Sequence, residues 1–150
     1  MTSHYKFLKI ATDAYCPIPG AHVAGRSSTA KAYGGIIFLD ADGKTVDEER
    51  PALGELTVPQ AEYRTLICAL DKASAICDGE IEVWMDSELV VKQLKGEYAV
   101  KSENMKPLHY EVRSLEARFA RIRYFHHRRS EPLATRADQL ARGERKKHEG

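Results

Sequence analysis

The sequence has few of the features of secreted, membrane-spanning or zinc-binding proteins. Its three cysteines, Cys16, Cys68 and Cys77, are odd in number and show no CxxC spacing. This pattern argues against a disulfide framework and against a structural zinc site. No apolar run approaches the length of a transmembrane helix, and residues 1–10 lack a secretory pattern. We therefore expect a cytoplasmic protein with no membrane partner.

A large excess of one charge is also missing, since 23 Lys and Arg residues face 22 Asp and Glu residues. The charge is uneven, however, because residues 113–147 contain eleven basic and four acidic side chains. Such a basic third favours a polyanionic partner, although a solvated charged face would give the same pattern. At 150 residues and 43% hydrophobic, the chain is long enough for one domain with its own core.

The first third of the chain predicts three antiparallel strands. Residues 4–13 alternate around apolar side chains and predict a strand that ends at Asp13. Residues 33–39 and 44–50 predict two more strands, joined by a tight turn that ends in glycine. Residues 14–32 contain prolines, glycines and serines without periodicity and predict a long loop.

A helix is predicted to begin directly after Thr57. Thr57 and Gln60 have the spacing of a capping box, and Leu66 and Leu70 belong to an apolar stripe that faces the core. Glu62 lies in the same stripe, four residues before Leu66. A carboxylate on the buried side of a helix is costly unless a partner compensates it, so Glu62 is a candidate functional residue. The alternative is that the Glu62 carboxylate interacts favourably with the helix dipole or hydrogen-bonds to the N-cap region.

Residues 81–94 are the most informative stretch of the chain. Residues 81–85 predict a buried strand, and Asp86 with Ser87 supplies N-cap chemistry for a helix that carries Leu94. Asp86 is therefore expected at the carboxyl end of a strand. In open α/β sheets, ligands bind along that edge.

The last third predicts two helices around one more strand. Leu108 and Val112 lie in the apolar stripe of a helix that Ser102 or Asn104 would cap. Residues 121–126 alternate basic and apolar side chains and predict a strand. A final helix is predicted to start near Leu133, with Asp138 beside its apolar face.

These elements predict the α/β class, with a five-stranded mixed sheet flanked by helices. The sheet would combine the antiparallel meander with parallel strands. We expect the folded domain to comprise residues 1–142. Residues 143–150 would form a flexible, basic C-terminal tail.

Several short segments resemble those of type 1 ribonuclease H. They are Ile10-Ala11-Thr12-Asp13, Tyr33-Gly34-Gly35, Ala61-Glu62-Tyr63, Met85-Asp86-Ser87 and Ala137-Asp138-Gln139-Leu140-Ala141. The resemblance covers about residues 5–142 and implies the RNase H-like fold. Residues 93–108 resemble those of the compact, archaeal-like members, which lack a basic protrusion. The resemblance further implies that Asp13, Glu62, Asp86 and Asp138 are the catalytic and metal-binding carboxylates.

The function that this resemblance implies is endonucleolytic cleavage of the RNA strand in RNA–DNA hybrids, leaving 5′-phosphate and 3′-hydroxyl ends. Two Mg²⁺ ions about 4 Å apart would activate water and stabilise the leaving oxygen, with Mn²⁺ as a substitute. By resemblance, Asp13 would bridge both ions with Asp86 as the other central ligand. Glu62 would serve the leaving-group side and Asp138 the nucleophile side. Without metal, such clustered carboxylates repel one another, and their pKa values should rise.

Further site residues follow from the resemblance and from charge. His127 would assist water activation or product release, with His126 as the alternative. The candidate substrate-binding residues, each of which is otherwise an ordinary surface residue, are Ala14, Thr57, Lys92, Lys95, Lys101 and Arg129. The sequence departs from the family at Ala14, where a glycine is common, and at Val58 and Pro59, where two asparagines are common.

Other functions remain open at this point. The expected partner is an RNA–DNA hybrid, with double-stranded RNA as a second candidate, and the protein is expected to be a monomer. A non-catalytic hybrid-binding or duplex-RNA-binding module would have the same fold. A related carboxylate nuclease acting on DNA is the third option. Tyr15 argues against an exonuclease, because related exonucleases usually have a glutamate at that position.

Overall fold

The computed structural model describes residues 4–17 and 28–144. The central part of the predicted loop, which includes Pro19 and His22, and residues 145–150 of the predicted tail lie outside the described residues. The described strands are β1 (Tyr5–Tyr15), β2 (Ala30–Leu39), β3 (Thr45–Glu49), β4 (Ala52–Leu56), β5 (Cys77–Met85) and β6 (Arg121–His126). The described helices are α1 (Val58–Ser74), α2 (Glu88–Leu94), α3 (Lys106–Glu116) and α4 (Pro132–Arg142).

The strands form one mixed sheet in the order β3-β2-β1-β5-β6, with β4 paired to β2. Strands β1, β2 and β3 pair antiparallel, whereas β1, β5 and β6 run parallel to one another. The predicted α/β class and mixed sheet are therefore confirmed. The α2–α3 connection spans residues 95–105 and contains no further helix. This agrees with the predicted compact form, which lacks a basic protrusion.

The predicted strands need four corrections, one of which is that β5 begins at Cys77 rather than at residue 81. β1 continues to Tyr15 and β2 begins at Ala30, so the loop is shorter at both ends than predicted. The β1 extension pairs with Gly34 and Tyr33 of β2, whereas the β2 extension pairs with β4, whose Leu56 lies opposite Ala30. β4 was not predicted, since its residues Ala52–Leu56 are few and mostly exposed and include Gly54. The sheet therefore has six strands rather than five.

The helix caps were predicted with mixed success. The capping box of α1 is confirmed: the Thr57 hydroxyl accepts from the Gln60 N–H, and the Gln60 side chain accepts from the Thr57 N–H. Ser87 caps α2 by accepting from the Val90 N–H at 3.3 Å. The cap predicted for α3 was wrong, because Met105 occupies the N-cap position and supplies no side-chain hydrogen bond.

The helices cover the two sheet faces unequally. α1 and α3 lie over the main core on one face, whereas α4 packs mainly on β1 and β2 of the other. Gly35 of β2 permits this approach, since a Cβ atom there would lie 2.2 Å from the carbonyl oxygen of Ala137. No helix within residues 4–17 and 28–144 is long and apolar enough to cross a membrane.

Candidate active site

Two neighbouring parallel strands bring Asp13 and Asp86 to the same edge of the sheet. Thr12 of β1 pairs in register with Met85 of β5, so the aspartate that follows each of them lies beside the other. Both aspartates line one small cavity, together with Glu62 from α1. The predicted convergence of these three carboxylates on the carboxyl ends of the strands therefore matches the described geometry.

Asp13 is the most enclosed of the carboxylates, with 9% of its surface exposed. Its Oδ1 accepts a hydrogen bond from the Ala14 N–H at 2.9 Å, while its buried Oδ2 has no partner among the described residues. Burial, the charge of Asp86 and the nearby Asp138 carboxyl raise the pKa of Asp13 to about 8. Asp138 thus lies near Asp13, although it comes from α4 on the far side of the sheet.

Glu62 reaches the same cavity from the first turns of α1. Burial raises its pKa to about 7, and the charge of Asp86 adds to this effect. The Ser87 hydroxyl and the Arg129 guanidinium act in the opposite direction, since both stabilise the ionised carboxylate. At neutral pH, Glu62 is therefore about half protonated and Asp13 is mostly protonated.

Two arginines compensate the other carboxylates. Asp86 Oδ2 accepts hydrogen bonds from Arg129 Nε at 3.0 Å and Nη2 at 2.9 Å. The two oxygens of Asp138 accept from Arg142 Nε at 3.0 and 3.2 Å, one helical turn along α4. In this arrangement, the described part of the chain contains no group of three or more acidic, histidine or cysteine side chains positioned to hold a metal ion.

The donor set nevertheless suits a hard divalent cation. All four candidate ligands are carboxylate oxygens, which Mg²⁺ prefers. One Asp13 oxygen has no partner among the described residues, and burial together with neighbouring carboxylates raises the pKa values of Asp13 and Glu62, so the ionised cluster is not fully compensated. A divalent cation would supply the missing positive charge once Asp86 and Asp138 exchange their guanidinium partners for it.

His127 and the candidate substrate-binding residues differ in whether they lie at the acidic cavity. His127 is buried, and burial lowers the pKa of its imidazole. The backbone N–H of His127 donates to the Met85 carbonyl oxygen at 2.9 Å. Ala14 lines the acidic cavity, and Arg129 is bound to Asp86. The other candidates lie outside that cavity: Thr57 caps α1, Lys92 pairs with Glu88, Lys95 pairs with Glu97, and Lys101 is exposed.

Sequence reasoning missed two residues of this site. Ser87 was recognised only as a helix cap, yet its side chain also contacts Glu62. Arg142 was treated only as a helix end, although its spacing of four residues from Asp138 is that of an ion pair on one helix face. Lys and Arg residues spaced i, i+4 from candidate carboxylates would have revealed it.

A mixed sheet with this strand order, helices on both faces and acidic side chains at the strand ends defines an RNase H-like domain. A family model described as reverse transcriptase-like matches residues 22–143. The chain therefore belongs to this family, and within it to the compact form of type 1 ribonuclease H. The predicted resemblance is confirmed.

Three relatives illustrate the similarity. The chain is 34% identical over 120 residues to ribonuclease HI of Halobacterium salinarum, covering 79% of this chain and 58% of that protein. The structure of that organism's RNase H1 aligns with a TM-score of 0.78 at 29% identity, over 92% and 96% of the two chains. LC11-RNase H1, solved in complex with an RNA/DNA hybrid, aligns with a TM-score of 0.75 at 29% identity, over 91% and 94%.

The third relative is the bifunctional protein Rv2228c of Mycobacterium tuberculosis, which is 36% identical over 92 residues. The structure of its N-terminal RNase H domain, fused to maltose-binding protein, aligns with a TM-score of 0.74 at 32% identity, over 90% and 97% of the chains. The matched region covers 61% of this chain but only 25% of the whole mycobacterial protein. The similarity thus extends to one domain of a longer relative.

Proposed function

We propose that this protein is a divalent-metal-dependent endonuclease that hydrolyses the RNA strand of RNA–DNA hybrids. The observation that carries the proposal is the meeting of Asp13, Glu62, Asp86 and Asp138 at one sheet edge, with an unpartnered Asp13 oxygen at its centre. The family supports it, as does the similarity to LC11-RNase H1, whose structure contains an RNA/DNA hybrid.

The proposed chemistry assigns a task to each carboxylate. Asp13 and Asp86 would be the central ligands of two Mg²⁺ ions, or of Mn²⁺ as a substitute, with Glu62 and Asp138 on either side. When bound, the metal ions supply an activated water and stabilise charge on the phosphate and on the leaving 3′ oxygen. The products would carry 5′-phosphate and 3′-hydroxyl ends. Ser87 would orient Glu62, whose ionised carboxylate its hydroxyl stabilises.

His127 is proposed to take up a proton near the acidic cluster. Its lowered pKa leaves the imidazole neutral at neutral pH, so a ring nitrogen is available as an acceptor. Asp86 and Glu131 both stabilise the protonated ring and would favour its transient formation. His126 is exposed and lies one residue further along the chain from Asp138, which makes it the weaker candidate.

Substrate choice would depend on both strands of the hybrid. The RNA strand would present its 2′-hydroxyl groups to the acidic cluster across a wide minor groove. Phosphates would contact Ala14, Thr57, Lys92, Lys95, Lys101 and Arg129, which gives affinity without sequence preference. Double-stranded RNA shares the first feature but lacks a DNA strand, so it is the second candidate substrate.

The direct test is cleavage of an end-labelled RNA–DNA hybrid in Mg²⁺ and in EDTA. We expect Asp13→Asn and Asp86→Asn each to lower the rate by roughly a thousandfold, because both remove a negative ligand. Asp78→Asn is the matched control: Asp78 is exposed on β5 and pairs with His4 and Lys6, so its loss should leave the rate unchanged. Full activity of both site variants would eliminate the proposal.

One observation favours a second candidate, a hybrid-binding module without catalysis. Arg129 and Arg142 already compensate Asp86 and Asp138, so the cluster is partly neutral without metal. Tight binding of the hybrid with no turnover in either Mg²⁺ or Mn²⁺ would select this alternative. Hydrolysis that requires metal would exclude it.

A further inference from the structure

The sheet face beside α4 carries an aromatic pair that the proposed chemistry does not use. Trp84 of β5 stacks on Phe125, its partner on β6, with ring centroids 4.7 Å apart and planes 18° apart. Both rings are half-buried and lie on the side of the sheet opposite the main core. Lys9 of β1 places its Nζ 4.7 Å from the centroid of the Trp84 ring. Because α4 packs mainly on β1 and β2, this part of the face remains accessible.

An open cleft of about 610 Å³ lies between this face and the start of α4. Lys9, Trp84, His127 and Arg128 line one side, and Glu131 to Leu133 line the other. Its volume falls in the range of small-ligand sites, about 300–1,000 Å³. The cleft therefore has room for one nucleotide but not for a duplex.

The lining of the cleft suits an anion. Within the described part of the chain, neither Lys9 nor Arg128 forms an ion pair, and the Lys9 ammonium lies over the Trp84 ring. The first turn of α4 adds backbone N–H groups that no side chain caps, since Glu131 forms no cap hydrogen bond. The Glu131 carboxylate is the acidic group of the lining and opposes these cations.

His127 also borders the cleft and offers a ring nitrogen to a ligand. Only 7% of this residue is exposed, yet its ring forms no hydrogen bond with any other described residue. The ring lies against Trp84, with centroids 6.0 Å apart, and borders the cleft. The charge of Asp86 acts on the His127 ring, so the cleft lies near the carboxylate cluster.

We propose that this cleft binds one unpaired nucleotide of a single-stranded extension of the substrate. The phosphate would lie between Lys9, Arg128 and the start of α4, and the base would stack on Trp84 once Lys9 turns toward the phosphate. Base–aromatic stacking combined with a basic groove is the general mode by which proteins bind single strands. The link to a substrate rests on the proposed function, whereas binding itself does not.

Trp84 is the single tryptophan of the chain, so it reports directly on its own site. We expect a single-stranded RNA of about 12 nucleotides, titrated in EDTA, to quench Trp84 fluorescence to saturation. Joint substitution of Lys9→Gln and Arg128→Gln should weaken binding at least about tenfold. The matched control, Lys31→Gln with Lys44→Gln, removes the same charge from exposed positions on or beside β2. This control should leave the affinity for the RNA unchanged.

Three outcomes would overturn the proposal. The first is equal binding by the double variant and by wild type. The second is equal affinity for adenosine monophosphate and for the RNA, which would point to a free nucleotide instead. The third is a dimer in sedimentation that Trp84→Ala dissociates, which would assign the face to a second copy of the chain. The Trp84→Phe variant has no tryptophan fluorescence, so its binding is measured by the anisotropy of labelled RNA.

Cleavage assays separate this proposal from the proposed function. Wild type should show a lower KM for a hybrid with a single-stranded extension than for a blunt hybrid, and the double variant should lose that difference. No cleavage of either substrate would contradict the proposed function. The fluorescence titration would still show whether the cleft binds a single strand. An equal preference for the extension in wild type and double variant would refute the proposal.

Discussion

At the scale of single residues, the carboxylate cluster is defined by its shortage of positive charge. Asp13 is buried beside two other carboxylates, and one of its oxygens has no hydrogen-bond partner among the described residues. Arg129 and Arg142 supply part of the missing charge from the exposed side. A site of this kind trades stability of the metal-free protein for affinity toward a divalent cation.

The stability of the metal-free protein should therefore depend on pH. Folding raises the pKa of Asp13 from 3.8 to about 8, so the folded state binds more protons than the unfolded state between these values. Its contribution to stability is complete below about pH 4 and is lost as the pH rises through about 8. In EDTA we expect Asp13→Asn to reduce the fall in Tm between about pH 5 and about pH 9, measured by calorimetry.

A Tm that falls equally in wild type and in Asp13→Asn would contradict this assignment. Glu62, whose pKa is raised to about 7, should produce a smaller effect over a narrower range. Asp78→Asn serves as the control, because Asp78 is exposed and its pKa is lowered by His4 rather than raised.

Arg129 provides a second test at this scale. Arg129→Gln removes the guanidinium from Asp86, so the metal-free protein should lose stability, by at most about 1 kcal/mol because the pair is partly exposed. The rise in Tm on adding Mg²⁺ should become larger, since the metal no longer displaces a bound cation. Arg128→Gln is the control, because Arg128 forms no ion pair within the described residues. An unchanged Mg²⁺ response in Arg129→Gln would show that the two cations do not compete.

At the scale of elements, the position of Asp138 depends on how closely α4 approaches β2. At Gly35, which pairs with Asp13 across the strands, α4 lies so near that an added Cβ atom would be 2.2 Å from the Ala137 carbonyl oxygen. This packing helps to set the distance between the helix that carries Asp138 and the strand that carries Asp13. The buried Glu48 side chain of β3, bonded to Arg136 at 2.9 Å, holds the same helix from its other side.

We expect Gly35→Ala to disrupt this packing. The added Cβ would lie 2.2 Å from the Ala137 carbonyl oxygen and 2.8 Å from the Ala141 nitrogen, so α4 has to move. Denaturant unfolding should show a loss of about 3 kcal/mol or more, accompanied by a fall in hybrid cleavage. Gly43→Ala is the control: its φ of +83° is unfavourable for alanine but no atom lies nearby. It should cost about 1 kcal/mol and leave cleavage intact. Similar losses in both variants would mean that α4 packing is not the cause.

At the scale of the whole molecule, a small net charge conceals an uneven distribution. The net charge is +1, while residues 113–147 carry the basic excess and also supply β6, the following basic turn and α4. A polyanion should therefore approach from this side. Affinity for a hybrid should then depend on salt in spite of the near-neutral total.

We expect hybrid binding by Asp86→Asn in EDTA to weaken by roughly 10- to 100-fold between about 50 and about 200 mM salt. The physical reason is release of counterions from the phosphates that basic side chains contact. Anisotropy of a labelled hybrid measures the affinity at each salt concentration. A flat response would show that the basic third is an ordinary solvated surface.

Local patterns in the sequence were sufficient for most of the elements. The capping box of α1, the strand–carboxylate–helix order around Asp86 and the alternation of β6 each depend on neighbouring residues, so they could be read directly. β4 escaped prediction because it is short, exposed and interrupted by Gly54, and it exists only by pairing with β2. The Met105 cap of α3 escaped prediction because it uses no side-chain hydrogen bond.

The sequence alone determined the class of fold, which follows from short-range periodicity, and its resemblance to a known family indicated which four carboxylates to examine. Only the tertiary structure decided how those carboxylates are compensated and what lies beside them. Arg129 lies 43 positions from Asp86, and Lys9 lies 75 positions from Trp84. Contacts across such separations are set by strand order and register, which no local pattern encodes.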